Sequence, residues 1–299
     1  MPIEESNLKD LKNHLNSKMN SSYHYGGNVV TELDLIERKS IMHYSERKSK
    51  FVKIYTVLPR HISHLRALIE KGMVFMGSTF WTTTFESAVP HPLRFMIDND
   101  MAGMSWIDIH KGSYAIRPRT YKKTTNQLEL DVYDYKTITY HKKFEGDLQK
   151  VAPMRIMSFD IECISERGKF PTPENDAIIQ IANVCQLSGA EEPFARNIFT
   201  LNTCAPIVGT QVFSFKKEAD LLFAWREFLR LVDPDIITGY NIISFDIPYI
   251  CGRAKALSMG NFPYFGRIKE KSTVVKETVF QSKVLGTRET KDINIEGRV

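Results

Sequence analysis

The order strand, strand, strand, helix, strand, helix across residues 154–257 predicts an α/β layer on a mixed sheet, preceded by a smaller mixed α+β domain. Three observations predict it. Met154–Cys163 alternates polar and apolar residues as a half-buried strand does. Lys217–Val232 carries one apolar face at helical spacing. A polar, charged stretch at Lys142–Lys150 separates this layer from the chain before it. With 299 residues, 42% of them hydrophobic, the chain has the means for one large core or two modest ones.

Taken in order, residues 1–25 are rich in Asn, Ser and Lys and are expected to be a flexible N-terminus. Residues 26–150 are read as a first domain. Phe51–Val57 is strand-like, and His64–Lys71 is helical and ends at Gly72. Phe80–Phe85 is aromatic and Thr-rich, hence strand-like, and Leu93–Ile97 forms a short helical turn. Trp106–Ile109 and Ser113–Ile116 flank Lys111-Gly112 as a hairpin, and Gln127–His141 is expected to give another strand pair.

Residues 151–299 are read as a second domain. Its strands are Met154–Cys163, Ala177–Leu187, Asn197–Asn202 and Asp235–Gly239. In the first helix Leu221, Leu222, Trp225, Phe228, Leu229 and Val232 face inward, and Asp233-Pro234 stops it. Ser244 is expected to cap a second helix through Leu257, with Ile247, Ile250, Ala254 and Leu257 inward and Pro248 in its first turn. A ribonuclease H-like topology fits this order.

A net charge of +5 is compatible with a polyanionic partner but too small to require one. Cys163, Cys185, Cys204 and Cys251 form no CxxC pair, so no zinc or redox motif is signalled, and reduced thiols are expected. No basic-then-apolar leader and no apolar run of about 20 residues is present, so no membrane partner is expected. The basic cluster Ser45–Lys50 reads as a solvated surface or a nuclear import signal.

The chemistry lies in two carboxylates. Asp160 and Glu162 are separated by one residue in a strand, so they share a face while Phe159, Ile161 and Cys163 point the other way. Taken alone, such a pair is also explained by acids on a solvated sheet face. A third acid, Asp246, follows the strand end at Gly239, where sites gather in open α/β sheets. Three converging carboxylates suit Mg2+ or Mn2+, and two such ions about 3.5–4 Å apart activate water against a phosphodiester. Asn241 is a candidate for holding the substrate backbone, or a turn residue. Phe245 is a candidate for stacking on a terminal base, or for helix packing.

Phe159-Asp160-Ile161-Glu162 resembles the first exonuclease motif of family-B DNA polymerases, and Tyr240-Asn241 through Phe245-Asp246 the second. Ile179-Gln180-Ile181, Phe170-Pro171, Phe280–Lys283 and Glu296–Val299 resemble the delta-like branch, as do Phe85-Glu86-Ser87, Leu93–Met96 and Trp106-Ile107 upstream. The resemblance covers roughly residues 80–299. It implies the family's N-terminal domain at 26–150 and a partial 3′–5′ exonuclease domain at 151–299. It also implies two metal ions: Glu162 on the first, Asp160 bridging both, and Asp246 on the second. The segment 278–298 resembles the family's exonuclease hairpin, which touches the primer–template junction. The partners implied are DNA, as a single-stranded 3′ end and primer–template, together with accessory subunits and a sliding clamp in a nuclear replicative enzyme.

The family's third motif, Tyr-x-x-x-Asp, is absent: Ile268 stands four residues after Tyr264, and Arg253 four after Tyr249. The chain is therefore read as truncated before that motif and before the polymerase domain, with little or no nuclease activity in isolation. Two other functions stay open, a catalytically inactive DNA-binding scaffold and another DEDD-type exonuclease acting on RNA.

Overall fold

The computed structural model describes residues 3–40, 47–143, 145–282 and 286–299. Ser45 and Glu46 of the basic cluster, Met1 and Pro2 of the N-terminus, and Lys283 of the delta-like tetrapeptide lie outside the described residues. The chain divides into two compact units, Met1–Ser105 and Trp106–Val299.

In the first unit, helix α1 (Leu8–Tyr23) occupies the segment expected to be flexible. Its polar composition hides an apolar stripe: Leu11, Leu15 and Met19 recur every fourth residue and are buried. They pack with Val29, Val30, Leu65, Ile69, Met73 and Phe75. Buried Asn16 ties the helix to the next element, donating to the Val30 carbonyl at 3.0 Å and accepting from the Val30 N–H at 2.8 Å. Strands β1 (Val30–Lys39) and β2 (Lys48–Thr56) pair antiparallel. Helix α2 (Arg60–Lys71) closes on Gly72, which takes φ 99° and donates to the Ile69 carbonyl. A short pair, β3 (Met73–Phe75) and β4 (Ser78–Phe80), follows, and then α3 (His91–Asp98). The strand expected over Phe80–Phe85 ends at Phe80, and the Thr84 N–H turns instead to the Glu70 carboxylate at 3.2 Å.

The second unit opens with nested pairs. Strand β5 (Ile107–Ile109) pairs with β8 (Ile138–Tyr140), and β6 (Tyr114–Ile116) with β7 (Leu130–Val132). The expected hairpin between the first two strands is therefore corrected. The turn at His110–Ser113 exists, with Gly112 at φ 89°, but each arm finds its partner further along the chain.

A five-stranded mixed sheet follows: β9 (Arg155–Cys163), β10 (Ile178–Leu187), β11 (Ala195–Leu201), β12 (Gln211–Phe215) and β13 (Ile236–Thr238), in the order β12-β11-β10-β9-β13. β12, a short edge strand, was not legible as a strand from periodicity. Helix α4 (Glu218–Val232) separates it from β13 and buries Leu221, Leu222, Trp225, Leu229 and Val232 as expected. Asp233 ends that helix in the left-handed region, φ 51°, with its carboxylate accepting 2.8 Å hydrogen bonds from Arg267 and Arg298. Helix α5 (Asp246–Ala256) buries Ile247, Ile250 and Ala254. It starts one residue later than expected: Phe245 takes the cap position, and Ser244 belongs to a turn whose N–H groups at Ser244 and Phe245 both donate to the Asn241 carbonyl. The antiparallel pair β14 (Val274–Ser282) and β15 (Gly286–Asn294) supplies the expected hairpin.

Candidate active site

Strand β9 alternates as its sequence demands. Met157, Phe159 and Ile161 are buried among Trp225, Leu229 and Ile250, while Asp160 and Glu162 are exposed on the opposite face. The cross-strand partners on β10 are Ala182, which leaves room beside Asp160, and Gln180, a long polar side chain opposite Glu162.

The third acid arrives through β13. That strand runs parallel to β9 and pairs Ile236 with Ile156, Ile237 with Met157 and Thr238 with Ser158, then stops. Gly239 crosses directly over the Phe159 backbone. A Cβ there would stand 2.3 Å from the Phe159 carbonyl oxygen, so only glycine allows the approach. Asn241 then turns the chain in the left-handed region, φ 57°, and is exposed. Helix α5 begins at Asp246, whose side chain is 1% exposed. Its Oδ1 accepts a hydrogen bond from the Ile161 N–H at 3.1 Å. Asp246 thus satisfies a backbone donor of β9 just beyond the end of β13, where no strand remains to accept it.

Burial pushes the Asp246 carboxyl up to about 6, and the neighbouring charge and side chain of Asp160 push the same way, against the hydrogen bond from Ile161. The structure therefore brings Asp160 and Asp246 together. Glu162 stands one pleat further along β9, about 7 Å away by strand geometry. Among the described residues no three His, Cys, Asp or Glu side chains converge closely enough to enclose one ion. An all-oxygen pair, one member of it buried, fits a hard divalent cation, whose charge would offset both the burial that chiefly raises Asp246 and the smaller repulsion from Asp160.

Around this pair Phe245 is half-buried, with its ring centroid 5.4 Å from that of Phe170 and 5.3 Å from that of Tyr249. Phe245 thus packs on Tyr249 of helix α5 and meets the exposed Phe170 ring. Burial raises the Cys163 thiol to about 11, so this cysteine beside Glu162 is no thiolate. A buried network behind the acids escaped the sequence reading. Arg253 pairs with Glu218 through 2.9 and 2.7 Å hydrogen bonds, and Tyr249 donates to the carbonyls of Thr172 and Asp176. No local signal could have found it, because Glu218 and Arg253 sit on different helices that only the fold makes neighbours.

Residues 82–299 match the family described as DNA polymerase family B, exonuclease domain, and residues 3–63 match the DNA polymerase delta catalytic subunit-like, N-terminal domain. The chain is 44% identical over 273 residues to the DNA polymerase delta catalytic subunit of Oryza sativa subsp. japonica, covering 90% of this chain and 24% of that one. It is 41% identical over 296 residues to that of Candida albicans, covering 99% and 27%. It is 39% identical over 298 residues to that of Bos taurus, covering 98% and 27%. The chain spans about a quarter of the length of these relatives. Among solved structures, the family B DNA polymerase of the archaeon Pyrobaculum calidifontis shares the fold with a TM-score of 0.55 at 20% identity, covering 96% of this chain and 29% of that one.

Proposed function

The chain belongs to DNA polymerase family B, through its exonuclease domain, and on that premise we propose that Asp160, Glu162 and Asp246 form the acidic centre of a 3′–5′ proofreading exonuclease in a delta-type polymerase. The observation that carries this reading is the Asp160–Asp246 pair, built where β13 ends and helix α5 begins, with Asp246 buried on the Ile161 N–H. Asp160 stands two residues from Glu162 on β9, and Asp246 accepts from the N–H of the intervening Ile161; by the likeness to the family, Asp160 would hold both of two Mg2+ or Mn2+ ions. Such ions, when bound, activate a water and stabilise the leaving oxygen of a phosphodiester. The chain's own residues hold and orient: Asp246 is fixed by a backbone hydrogen bond, Asn241 offers an exposed amide at the turn, and Phe245 offers an aromatic face beside the pair to a single-stranded 3′ end.

The sequence division at about residue 150 is kept in this proposal, supported by the start of the mixed sheet at Arg155. DNA as a single-stranded 3′ end and primer–template, accessory subunits, a sliding clamp and a nuclear location are proposed from the delta-type relatives. Among the described residues no helix is long and apolar enough to cross a membrane.

The test is Mn2+ binding to the full chain, followed by electron paramagnetic resonance, alongside shortening of a 5′-labelled single-stranded oligodeoxynucleotide. Wild type is expected to bind Mn2+ with little hydrolysis, and Asp160→Asn to lose the binding. Equal Mn2+ affinity in both would sink the site. A non-catalytic DNA-binding module is the second reading, favoured by the failure of the three acids to converge on one point. It predicts single-strand binding that falls with salt and ignores divalent metal.

A further inference from the structure

The network behind the acids ties three separate segments to the helix that carries Asp246. Arg253, seven residues after Asp246 on α5, forms a bidentate pair with Glu218 at the start of α4, with Nε to Oε1 at 2.9 Å and Nη2 to Oε2 at 2.7 Å. Both side chains are about nine-tenths buried, at 11% and 8% exposure. The same Glu218 Oε1 accepts the Ile178 N–H at 2.8 Å. Ile178 opens β10, and the pairing there slips: Ile178 faces Cys163 and Gln180 faces Glu162, leaving Ile179 as a bulge. The arm of β10 that faces Glu162 is therefore held by Glu218, and through it by Arg253.

The second tie is to the loop between β9 and β10. Arg253 Nη1 donates to the carbonyls of Pro173 and Glu174, both at 3.2 Å. One turn earlier on α5, the Tyr249 hydroxyl donates to the carbonyls of Thr172 at 3.1 Å and Asp176 at 2.9 Å. Pro173 also packs on α5 at Gly252, where a Cβ would approach its ring to 3.0 Å. Helix α5 thus places Asp246 with its first residue and grips, with its next two turns, the loop and bulge that bound the strand end bearing Glu162. A bulge beside a site is a device for aiming a side chain, and here its position depends on one guanidinium.

We infer that Arg253, acting through Glu218, is a positioning residue that sets Glu162 relative to the Asp160–Asp246 pair, with Tyr249 holding the same loop from one turn away. The inference rests on the proposed acidic centre. Arginine suits the task because its planar fork serves a carboxylate and two carbonyls at once, which a lysine ammonium cannot reproduce.

The test uses the full chain, Mn2+ as the bound ion, and trypsin, for which the loop offers Arg167 and Lys169. Arg253→Gln is expected to weaken Mn2+ binding about tenfold, the lower end of what outer partners of metal ligands contribute, and to speed cleavage after Arg167 or Lys169. Arg253→Lys keeps the charge within the buried pair and covers the case in which the glutamine variant does not fold. It is expected to shift both readouts the same way by a smaller factor. Near-ultraviolet circular dichroism establishes that the variant read is folded. A folded variant with wild-type Mn2+ affinity and wild-type loop cleavage overturns the inference. Asp160→Asn separates the inference from its premise. Mn2+ binding lost there, with loop cleavage unchanged, upholds the acidic centre, whereas Mn2+ binding retained there overturns the centre and the positioning role with it.

Discussion

Gly239→Ala is the smallest change that tests how the site is assembled. A Cβ at this position would stand 2.3 Å from the Phe159 carbonyl oxygen and 2.5 Å from Ile242 Cγ2. The first distance is roughly 1 Å short of an ordinary C···O contact of about 3.3 Å. The atom it meets is backbone, in the centre of a buried strand, so rotamer changes cannot relieve it. Either β13 or the turn that follows must move. Overpacking of this kind costs about 1–3 kcal/mol. For a body of some 150–250 residues a loss of about 2 kcal/mol lowers the melting temperature by roughly 4–8 °C. The same displacement separates Asp160, next to Phe159, from Asp246, which hangs from the turn after Gly239. Shifting one ligand relative to the other should weaken Mn2+ binding about tenfold, the lower end of what loss of an outer partner of a metal ligand costs. Calorimetry reads the first effect, and Mn2+ titration the second. A Gly239→Ala chain with wild-type melting and wild-type Mn2+ affinity would show that β13 does not press on Phe159 and would refute this account of the site.

Two further outcomes follow from the packing. Burial raises the Asp233 carboxyl, but hydrogen bonds from Arg267 and Arg298 outweigh it and leave the group below the usual carboxylate range. A depressed folded-state pKa gives stability that is present above the unfolded value near 3.8 and is lost as pH falls through the folded one. Urea midpoints measured from pH 5 to pH 2 should therefore fall more steeply in wild type than in Asp233→Asn, and parallel curves would count against the pairing. In the first unit, Leu15 is 1% exposed on helix α1, and Leu15→Ala should cost about 2–5 kcal/mol of that unit's stability. A cost near zero by urea denaturation would return residues 8–23 to the flexible segment that their composition suggested.

Much of the second unit was legible because local signals agreed with the tertiary outcome. β9 and β10 alternate clearly, and α4 carries an apolar stripe long enough to leave no choice of face. The missed elements were those whose stability comes from elsewhere. β12 is five residues at a sheet edge, fixed by pairing with β11 rather than by its own pattern. β5 and β6 each had strand character, but a turn at Gly112 does not say whether its arms pair with each other or with later segments. α1 was missed although its signal was present: Leu11, Leu15 and Met19 at intervals of four outweigh the Asn and Ser around them once a core exists to receive them.

The site divides along the same line. The sequence by itself determined that Asp160 and Glu162 share one face, because side chains alternate along any strand, and its motifs placed Asn241 and Asp246 after the strand that ends at Gly239. Only the tertiary structure decided that Asp246 would be buried on the Ile161 N–H within the influence of Asp160, and that Arg253, Glu218 and Tyr249 would bind the loop and bulge beside Glu162. Alternation is a property of one strand's backbone and is therefore written locally. Burial, a shared hydrogen bond and a raised carboxyl arise between segments dozens of residues apart, and they exist only once the sheet has brought those segments together.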